Sequence, residues 1–208
     1  MMLVFDFDGT LADSLSVMLD IYNKEIAPKW DLKPITSEDW HMLRQTSITK
    51  GMRYIGVKPY QLARLLTDGR RLVKARSHDI KLFPGVVELV KQLVKDGHTL
   101  YALSTNDQAL IREVFATAGI AKDIEVLKSP RVFGKANSLR RLLKQTHANP
   151  LQSWMIGDEV RDMVAAKRVG MNGLAVTWGF QPEVTLAALQ PTAIAHELQD
   201  IPQLIRAA

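Results

Sequence analysis

The sequence contains no cysteine, which excludes disulfides, thiolate metal sites and cysteine nucleophiles. It also lacks an apolar run long enough to span a bilayer. The first residues show neither the basic segment nor the long apolar core of a secretory signal. We therefore expect a cytoplasmic protein that has no membrane partner.

A strongly basic segment is missing as well, although 27 lysines and arginines outnumber 22 acidic residues and give a formal charge of +5. The basic residues are dispersed along the chain, whereas nucleic-acid binding needs a basic face. The excess positive charge suits a small anionic substrate such as a phosphate ester. We expect no nucleic-acid partner, and the composition does not indicate the oligomeric state.

The N-terminal stretch gives the first indication of chemistry. The apolar run Met2–Phe5 is short and bulky like a buried strand, and Asp6, Asp8 and Gly9 follow it directly. Side chains alternate along a strand, so the two carboxylates are predicted to point to the same side. Their mutual repulsion requires a divalent cation or a proton. Taken alone, these residues also suit an ordinary turn.

The rest of the chain divides into two patterns. Residues 14–80 show helical periodicity and no convincing strand, whereas apolar strands alternate with amphipathic helices after Pro84. This alternation predicts an α/β fold with a doubly wound, mostly parallel sheet, in which ligands bind beyond the carboxyl ends of the strands. We predict a core domain of residues 1–13 and 81–208, and a helical domain of residues 14–80.

Polar residues follow each of the later predicted strands. The segment 104–106 (Ser-Thr-Asn) follows the second strand, and the acidic segment 157–162 follows the fourth. Lys128 ends the third strand, and Lys135 opens a helix beyond the next loop. Individually, these features also suit a helix cap, a surface lysine and an acidic first helical turn. Their order on successive strands is the more specific observation.

That order resembles the four motifs of the haloacid dehalogenase (HAD) superfamily, and Ala12-Asp13-Ser14 after the first motif resembles its phosphatase branch. The chain as a whole resembles the phosphoglycolate phosphatase-like subgroup. The resemblance implies a Rossmann-like sheet with the fourth strand beside the first. It also implies that residues 14–80 are a small inserted α-helical cap of the C1 type. The function it implies is Mg²⁺-dependent hydrolysis of a small phosphorylated metabolite.

The resemblance also implies roles for the acidic residues. Asp6 would be the nucleophile that takes the phosphoryl group, and Asp8 would be the general acid and later the base. The metal would be held by Asp6, the backbone carbonyl of Asp8, Asp158 and Asp162, the last either directly or through water. Glu159, also acidic, is expected to face outward and is not assigned as a ligand.

The same resemblance implies how the phosphoryl group is held. Thr105 would bind its oxygens, with a backbone N–H of Asn106, and Ser104 is the competing hydroxyl. Lys135 would neutralise charge on the nucleophile and the phosphoryl group. Many phosphatases of this group have proline after that lysine, whereas Ala136 follows it here, so Lys128 is kept as the alternative.

The substrate is less clear from the sequence. The polar segment 44–50 carries Arg44 and Lys50, which we expect to bind an anionic substrate such as phosphoglycolate. A dehalogenase is disfavoured because Asp8 supplies an acid–base group that phosphoryl chemistry uses. The alternatives are a phosphomutase of the same fold and a non-catalytic protein that binds a phosphate ligand.

Overall fold

In the computed structural model of this chain, residues 1–46, 48–129 and 134–207 are described, apart from the side chains of Ile48 and Ser77. Met1–Asp13 and Lys81–Ala208 form one compact unit, and Ser14–Ile80 forms another. Of the helices in the described ranges, none is both long and apolar enough to cross a membrane.

The first unit, the core unit, is built on a six-stranded sheet in the order β3-β2-β1-β4-β5-β6, with every neighbouring pair parallel. Its strands are β1 (Met2–Phe5), β2 (Thr99–Ser104), β3 (Ile124–Lys128), β4 (Ser153–Gly157), β5 (Asn172–Val176) and β6 (Ala193–Ala195). The chain adds strands on one side of β1 and then on the other, so β1 lies where the strand order reverses. Ligands of such sheets bind at this point. The predicted doubly wound α/β fold is confirmed.

The central strands are buried on both faces. Every residue of β1 and of β4 is buried, which explains why both strands are nearly continuous apolar runs rather than alternating patterns. Met2 and Val4 pack in one core cluster with Leu139 and Leu142, whereas Leu3 and Phe5 point to the opposite face. Helices therefore cover both sides, and the polar chemistry is confined to the strand ends.

The core helices follow the predicted periodicity. They are α6 (Val86–Lys95), α7 (Gln108–Thr117), α8 (Lys135–Thr146), α9 (Val160–Val169), α10 (Glu183–Ala187) and α11 (Ile201–Ala207). α9 ends at Gly170, whose φ of 74° is the left-handed conformation that glycine adopts without strain. α8 and α9 pack against each other on the sheet, so their N-terminal turns lie at its carboxyl edge.

The strand β6 is the shortest of the sheet. It contains three residues and pairs with β5 in register, Ala175 facing Ile194. Three residues are too few to show the alternation from which a strand is predicted. The sheet therefore extends one strand further than the sequence pattern indicates.

The second unit, the helical unit, contains α1 (Ser14–Ile21), α2 (Ala27–Trp30), α3 (Ser37–Leu43), α4 (Ile48–Ile55) and α5 (Leu62–Ala75). α1 continues into α2 through a π-helical segment, Tyr22–Ile26. α1 packs on α5, and Val17, Ile21 and Leu65 are buried between them. This small core explains the helical periodicity of the segment.

Candidate active site

The carboxyl ends of β1 and β4 bring two predicted acidic residues together. Asp6 follows β1, and its backbone N–H donates to the Ile156 carbonyl at 2.8 Å, so the parallel pairing continues past the strand. Asp158 follows β4 directly. Because the neighbouring strands end at one edge of the sheet, the two carboxylates lie side by side as predicted from the sheet order.

Asp162 completes a buried acid cluster with Asp6 and Asp158. One carboxylate oxygen from each residue lies within 4.8 Å of the others, and all three side chains are at most 1% exposed. Asp162 is the third residue of α9, so the first helical turn carries its carboxylate back to the strand end. Three oxygen ligands in this arrangement suit a hard divalent cation.

Lys135 supplies a buried positive charge to the acid cluster. Its Nζ lies 2.5 Å from Oδ2 of Asp6 and also contacts Oδ1 of Asp162, and the side chain is 1% exposed. Burial disfavours its charged form, but Asp162 and Asp6 outweigh burial and raise the pKa of Lys135. Lys128, the alternative lysine, is exposed at the end of β3.

The cluster holds more negative charge than the neighbouring cations offset. Burial raises the pKa of Asp158 well above its usual range, and the charges of Asp6 and Asp162 act in the same direction. Burial likewise raises the pKa of Asp162 to about 7, although Lys135 acts in the opposite direction. A divalent cation among these oxygens would offset the repulsion. The residues present therefore fit a metal ion.

Residues 104–106 at the carboxyl end of β2, which are predicted to bind the phosphoryl group, contact Asp8. The Asn106 amide Nδ2 donates to Asp8 at 3.2 Å, and the Ser104 hydroxyl donates to Asp8 at 3.3 Å. The Asn106 backbone N–H, predicted to face the substrate, donates instead to the Ser104 hydroxyl at 3.0 Å. Thr105 lies half-buried between them. Ser104 and Asn106 thus hold the Asp8 carboxylate.

Three hydrogen bonds were not predicted from the sequence, two to the Asp158 carboxylate and one to the Thr10 carbonyl. The Thr10 hydroxyl donates to Asp158 at 2.7 Å, and the Phe180 backbone N–H donates to its other oxygen at 2.8 Å. The Trp178 indole N–H donates to the Thr10 carbonyl at 3.1 Å. The segment after β5 therefore belongs to the site. Its position after another parallel strand was the signal that could have indicated it.

Two glycines make room for the buried carboxylates. A Cβ at Gly179 would overlap the Asp158 side chain, and a Cβ at Gly157 would overlap the Asp162 carboxylate. Both carboxylates therefore occupy space that any larger residue would fill. The glycines at these strand ends have a packing reason that the motif pattern alone does not reveal.

Arg161 and Glu159 flank the acid cluster on α9. Nη2 of Arg161 lies 2.7 Å from Oε1 of Glu159 and 3.7 Å from Oδ2 of Asp6. Glu159, which is predicted to face outward, is 23% exposed and forms this ion pair with Arg161. Arg161 itself was not predicted as part of the site.

The predicted substrate-binding residues of the helical unit lie on two helices. Arg44 is half-buried at the C-terminus of α3, and Lys50 is exposed on α4. Ser47, in the same predicted segment, lies outside the described residues. The roles of Arg44 and Lys50 stay predictions.

Comparison with known proteins identifies a family and relatives that this chain resembles. A family model described as haloacid dehalogenase-like hydrolase matches residues 3–176. A phosphoglycolate phosphatase of Synechococcus elongatus is 34% identical over 98% of this chain and 96% of its own. A 5'-nucleotidase of Pseudomonas aeruginosa is 24% identical over 98% of this chain and 94% of its own.

A solved haloacid dehalogenase-like hydrolase of Streptococcus pneumoniae has the same fold, with a TM-score of 0.79 and 23% identity over 97% of this chain and 96% of its own. The predicted superfamily and the predicted hydrolase class are confirmed. The extent of the family match and the identity to a curated relative over almost the whole chain show that this protein belongs to the haloacid dehalogenase-like hydrolases.

Proposed function

We propose that the protein is a Mg²⁺-dependent phosphatase that hydrolyses a small phosphorylated metabolite through a phosphoryl group bound covalently to Asp6. The observation that carries the proposal is the environment of Asp6. Its carboxylate is 1% exposed, shares a cluster with two further carboxylates and has Lys135 Nζ at 2.5 Å. A carboxylate needs positive charge close by to attack an anionic phosphate ester, and Lys135 supplies part of it.

In the first step, a carboxylate oxygen of Asp6 forms a bond to phosphorus, and the bond from phosphorus to the leaving oxygen breaks. Asp8 gives its proton to that oxygen. In the second step, Asp8 takes a proton from water, the water oxygen bonds to phosphorus, and the Asp6–phosphorus bond breaks. Inorganic phosphate and the original carboxylate remain. Two displacements replace one difficult one.

The position of Asp8 supports its role in acid–base catalysis. Asn106 and Ser104 donate to its carboxylate, and the Asn106 amide is itself oriented because its oxygen accepts from the Asp107 backbone N–H at 2.8 Å. A proton donor must be held within reach of the leaving oxygen. In this proposal Thr105 binds phosphoryl oxygens, and Ser104 and Asn106 orient Asp8.

In this proposal the metal ion binds at the acid cluster. Asp6, Asp158, Asp162 and the backbone carbonyl of Asp8 would hold Mg²⁺, which supplies positive charge that offsets the charge on the phosphoryl group when it is bound. The raised pKa of Asp158 and the contacts from Thr10 and Phe180 support its assignment as a ligand.

We infer that residues 14–80 form a cap and that the substrate is a small anionic phosphate ester such as phosphoglycolate. The relative that is 34% identical over almost the whole chain is named for that substrate. In this proposal Arg44 and Lys50 bind the anionic end of the substrate. Guanidinium and ammonium groups are suited to this task.

The test measures phosphate release from a generic aryl phosphate and from a panel of small anionic phosphates, with Mg²⁺ or with a chelator. Wild type is expected to depend on Mg²⁺ and to prefer phosphoglycolate. Asp6→Asn is expected to lose ~10³-fold or more of the activity, because the nucleophile is gone. Asp96→Asn, the same change at an exposed position, is the matched control.

Trapping the phosphoryl group on Asp6 distinguishes the proposed mechanism from its alternatives. Wild type quenched during turnover should gain the mass of one phosphoryl group on the peptide that contains Asp6, and Asp6→Asn should not. Transfer of phosphate to a second hydroxyl of the substrate would indicate a phosphomutase. A wild type that releases no phosphate from the panel with any metal would rule out the phosphatase. An altered preference among the phosphates of the panel in an Arg44→Gln, Lys50→Gln double variant would support the proposal that Arg44 and Lys50 bind the substrate.

A further inference from the structure

Arg161 lies beside the nucleophile without bonding to it. It is the second residue of α9, and its Nη2 is 3.7 Å from Oδ2 of Asp6, the oxygen that Lys135 also contacts. That distance is too long for a hydrogen bond but short enough for a strong charge interaction. The carboxylate of Glu159 holds the guanidinium in this place at 2.7 Å.

The guanidinium has donor capacity that the protein does not use. Its Nε is buried and has no hydrogen-bond partner among the residues that the structure describes. A buried donor without a partner is unfavourable, so such donors in native proteins usually have a ligand or another function. The side chain is 18% exposed, so an anion can reach it.

There is space for a ligand at this position. A cavity of about 350 Å³ within the core unit is bordered by Arg161, Lys135, Glu159 and Gln181 among the described residues. Pockets for small molecules begin at about this size. Lys135 borders this cavity and also contacts Asp6, so Lys135 links the cavity to the nucleophile.

We propose that Arg161 is a further catalytic residue, whose guanidinium binds oxygens of the phosphoryl group while that group is transferred to and from Asp6. This inference rests on the proposed phosphatase function. The planar fork of a guanidinium matches two phosphoryl oxygens, which an ammonium group cannot do. Arg161 keeps its protons throughout, and Asp8 carries all proton transfer. The bonds that form and break are those of the two steps above.

The competing explanation is that Arg161 only neutralises Glu159 and the acid cluster. In that case its loss would lower stability or metal affinity and would leave affinity for a phosphoryl mimic unchanged. Orthovanadate, which resembles the phosphoryl group in transfer, separates the two explanations because its binding requires no turnover. Mg²⁺ affinity and the melting temperature, measured on the same samples, report a structural role.

The experiment compares Arg161→Gln and Arg161→Lys with Arg141→Gln. Arg141 is exposed on α8, is not among the residues that border the cavity, and tests for a general effect of positive charge. We expect Arg161→Gln to lower kcat by ~10²-fold or more and to weaken orthovanadate binding comparably, with Mg²⁺ affinity unchanged. Arg161→Lys should fold and retain the charge but lose ~10-fold in kcat, since it cannot bind bidentately. Arg141→Gln should keep kcat within threefold of wild type.

Each outcome decides the inference. If wild type is active and Arg161→Gln keeps kcat and orthovanadate affinity within threefold, Arg161 is not catalytic and the phosphatase proposal stands. Loss of Mg²⁺ affinity with unchanged orthovanadate affinity also overturns the inference in favour of the structural role. If Arg161→Gln does not fold, a fully active Arg161→Lys overturns it. A wild type without phosphatase activity overturns the proposed function, and the inference with it.

Discussion

Each of the two units contains a lysine or arginine between two aspartates, but the surroundings differ. In the core unit Lys135 contacts Asp6 and Asp162, and all three side chains are at most 1% exposed. In the helical unit Arg76 lies 2.7 Å from both Asp20 and Asp79, and these side chains are 30–34% exposed. The contacts are similar, and the burial is not.

Burial reverses the direction of the aspartate pKa shifts. Hydrogen bonds from Lys24 and Arg76 lower the pKa of Asp20, as is usual for a carboxylate in an exposed ion pair. Burial raises the pKa of Asp158 and Asp162 instead. In the exposed network, water solvates the charged groups, so the aspartates ionise readily. In the buried network, the loss of solvation disfavours the ionised carboxylates. Similar ion pairs therefore occur with a lowered aspartate pKa in the exposed network and with a raised aspartate pKa in the buried one.

The largest difference in stability between the two networks is expected when the central cation of each is removed. Lys135→Met leaves two buried carboxylates without their partner, so we expect it to lower the free energy of unfolding by about 3–5 kcal/mol at pH 7 in chelator. Urea unfolding followed by circular dichroism measures this loss. The loss should shrink at pH 5, where protonation relieves the unpaired charge.

Arg76→Met is the matched control, because it removes the central cation of the exposed network. Water can solvate the remaining carboxylates, so we expect its melting temperature to fall by ~2 °C or less. An equal fall in the melting temperature of Lys135→Met and Arg76→Met would show that burial does not distinguish the networks.

The second-largest difference between the buried and the exposed network is expected in the pH dependence of their contributions to stability. Folded Asp162, with its pKa near 7, binds a proton more tightly than the unfolded chain does, so its contribution to stability is fully present below pH ~4. In chelator that contribution is lost as the pH rises through 7, by up to about 1.4 kcal/mol per pH unit. Mg²⁺ should reduce the slope, because a bound cation favours the ionised carboxylate.

Unfolding midpoints at pH 5 to 8, with and without Mg²⁺, measure this slope for wild type and Asp162→Asn. The difference between these two proteins isolates the contribution of Asp162. Asp20→Asn is the control from the exposed network, since the pKa of Asp20 is lowered and its titration lies below this range. Wild-type stability that rises relative to Asp162→Asn from pH 5 to 7 would contradict the prediction.

The smallest effect is expected from packing at the edge of the acid cluster. Gly179→Ala places a Cβ on the Asp158 side chain, which must then move, so we expect a loss of about 1–3 kcal/mol and weaker Mg²⁺ binding. Calorimetric titration with Mg²⁺ and thermal unfolding measure both quantities.

Gly69→Ala is the comparison for this change, because Gly69 lies inside α5 and its added Cβ would meet only ordinary contacts. Alanine favours the helix, so this variant should be more stable by about 0.5–1 kcal/mol. If Gly179→Ala behaved in the same way, the site would have more free space than its glycines indicate.

Much of the core unit could be predicted because its signals are local. The apolar runs of β1 and β4, the acidic residues after them and the alternation with helices are visible within a few residues of each other. Parallel strands end at one edge of the sheet, and the resemblance to the haloacid dehalogenase superfamily, which implies that the fourth strand lies beside the first, predicts that Asp158 lies near Asp6.

The contacts that involve long side chains or short elements could not be predicted. Asn106 turns its amide to Asp8 and its backbone N–H to Ser104, and sequence spacing does not distinguish these orientations. β6 has too few residues for a periodic pattern, and Trp178 reaches Thr10 only because β5 lies beside β4.

The sequence by itself determined the chemistry that is available: the carboxylates, one lysine at a helix start, and the parallel sheet that gathers strand ends at one edge. Only the tertiary structure decided which groups meet and how deeply they are buried. It selects Lys135 rather than the exposed Lys128 to contact Asp6, and it places Arg161 beside the same oxygen. The reason is physical. Burial and side-chain direction arise from packing between elements that are distant in the chain, and they set the charge that each carboxylate can hold.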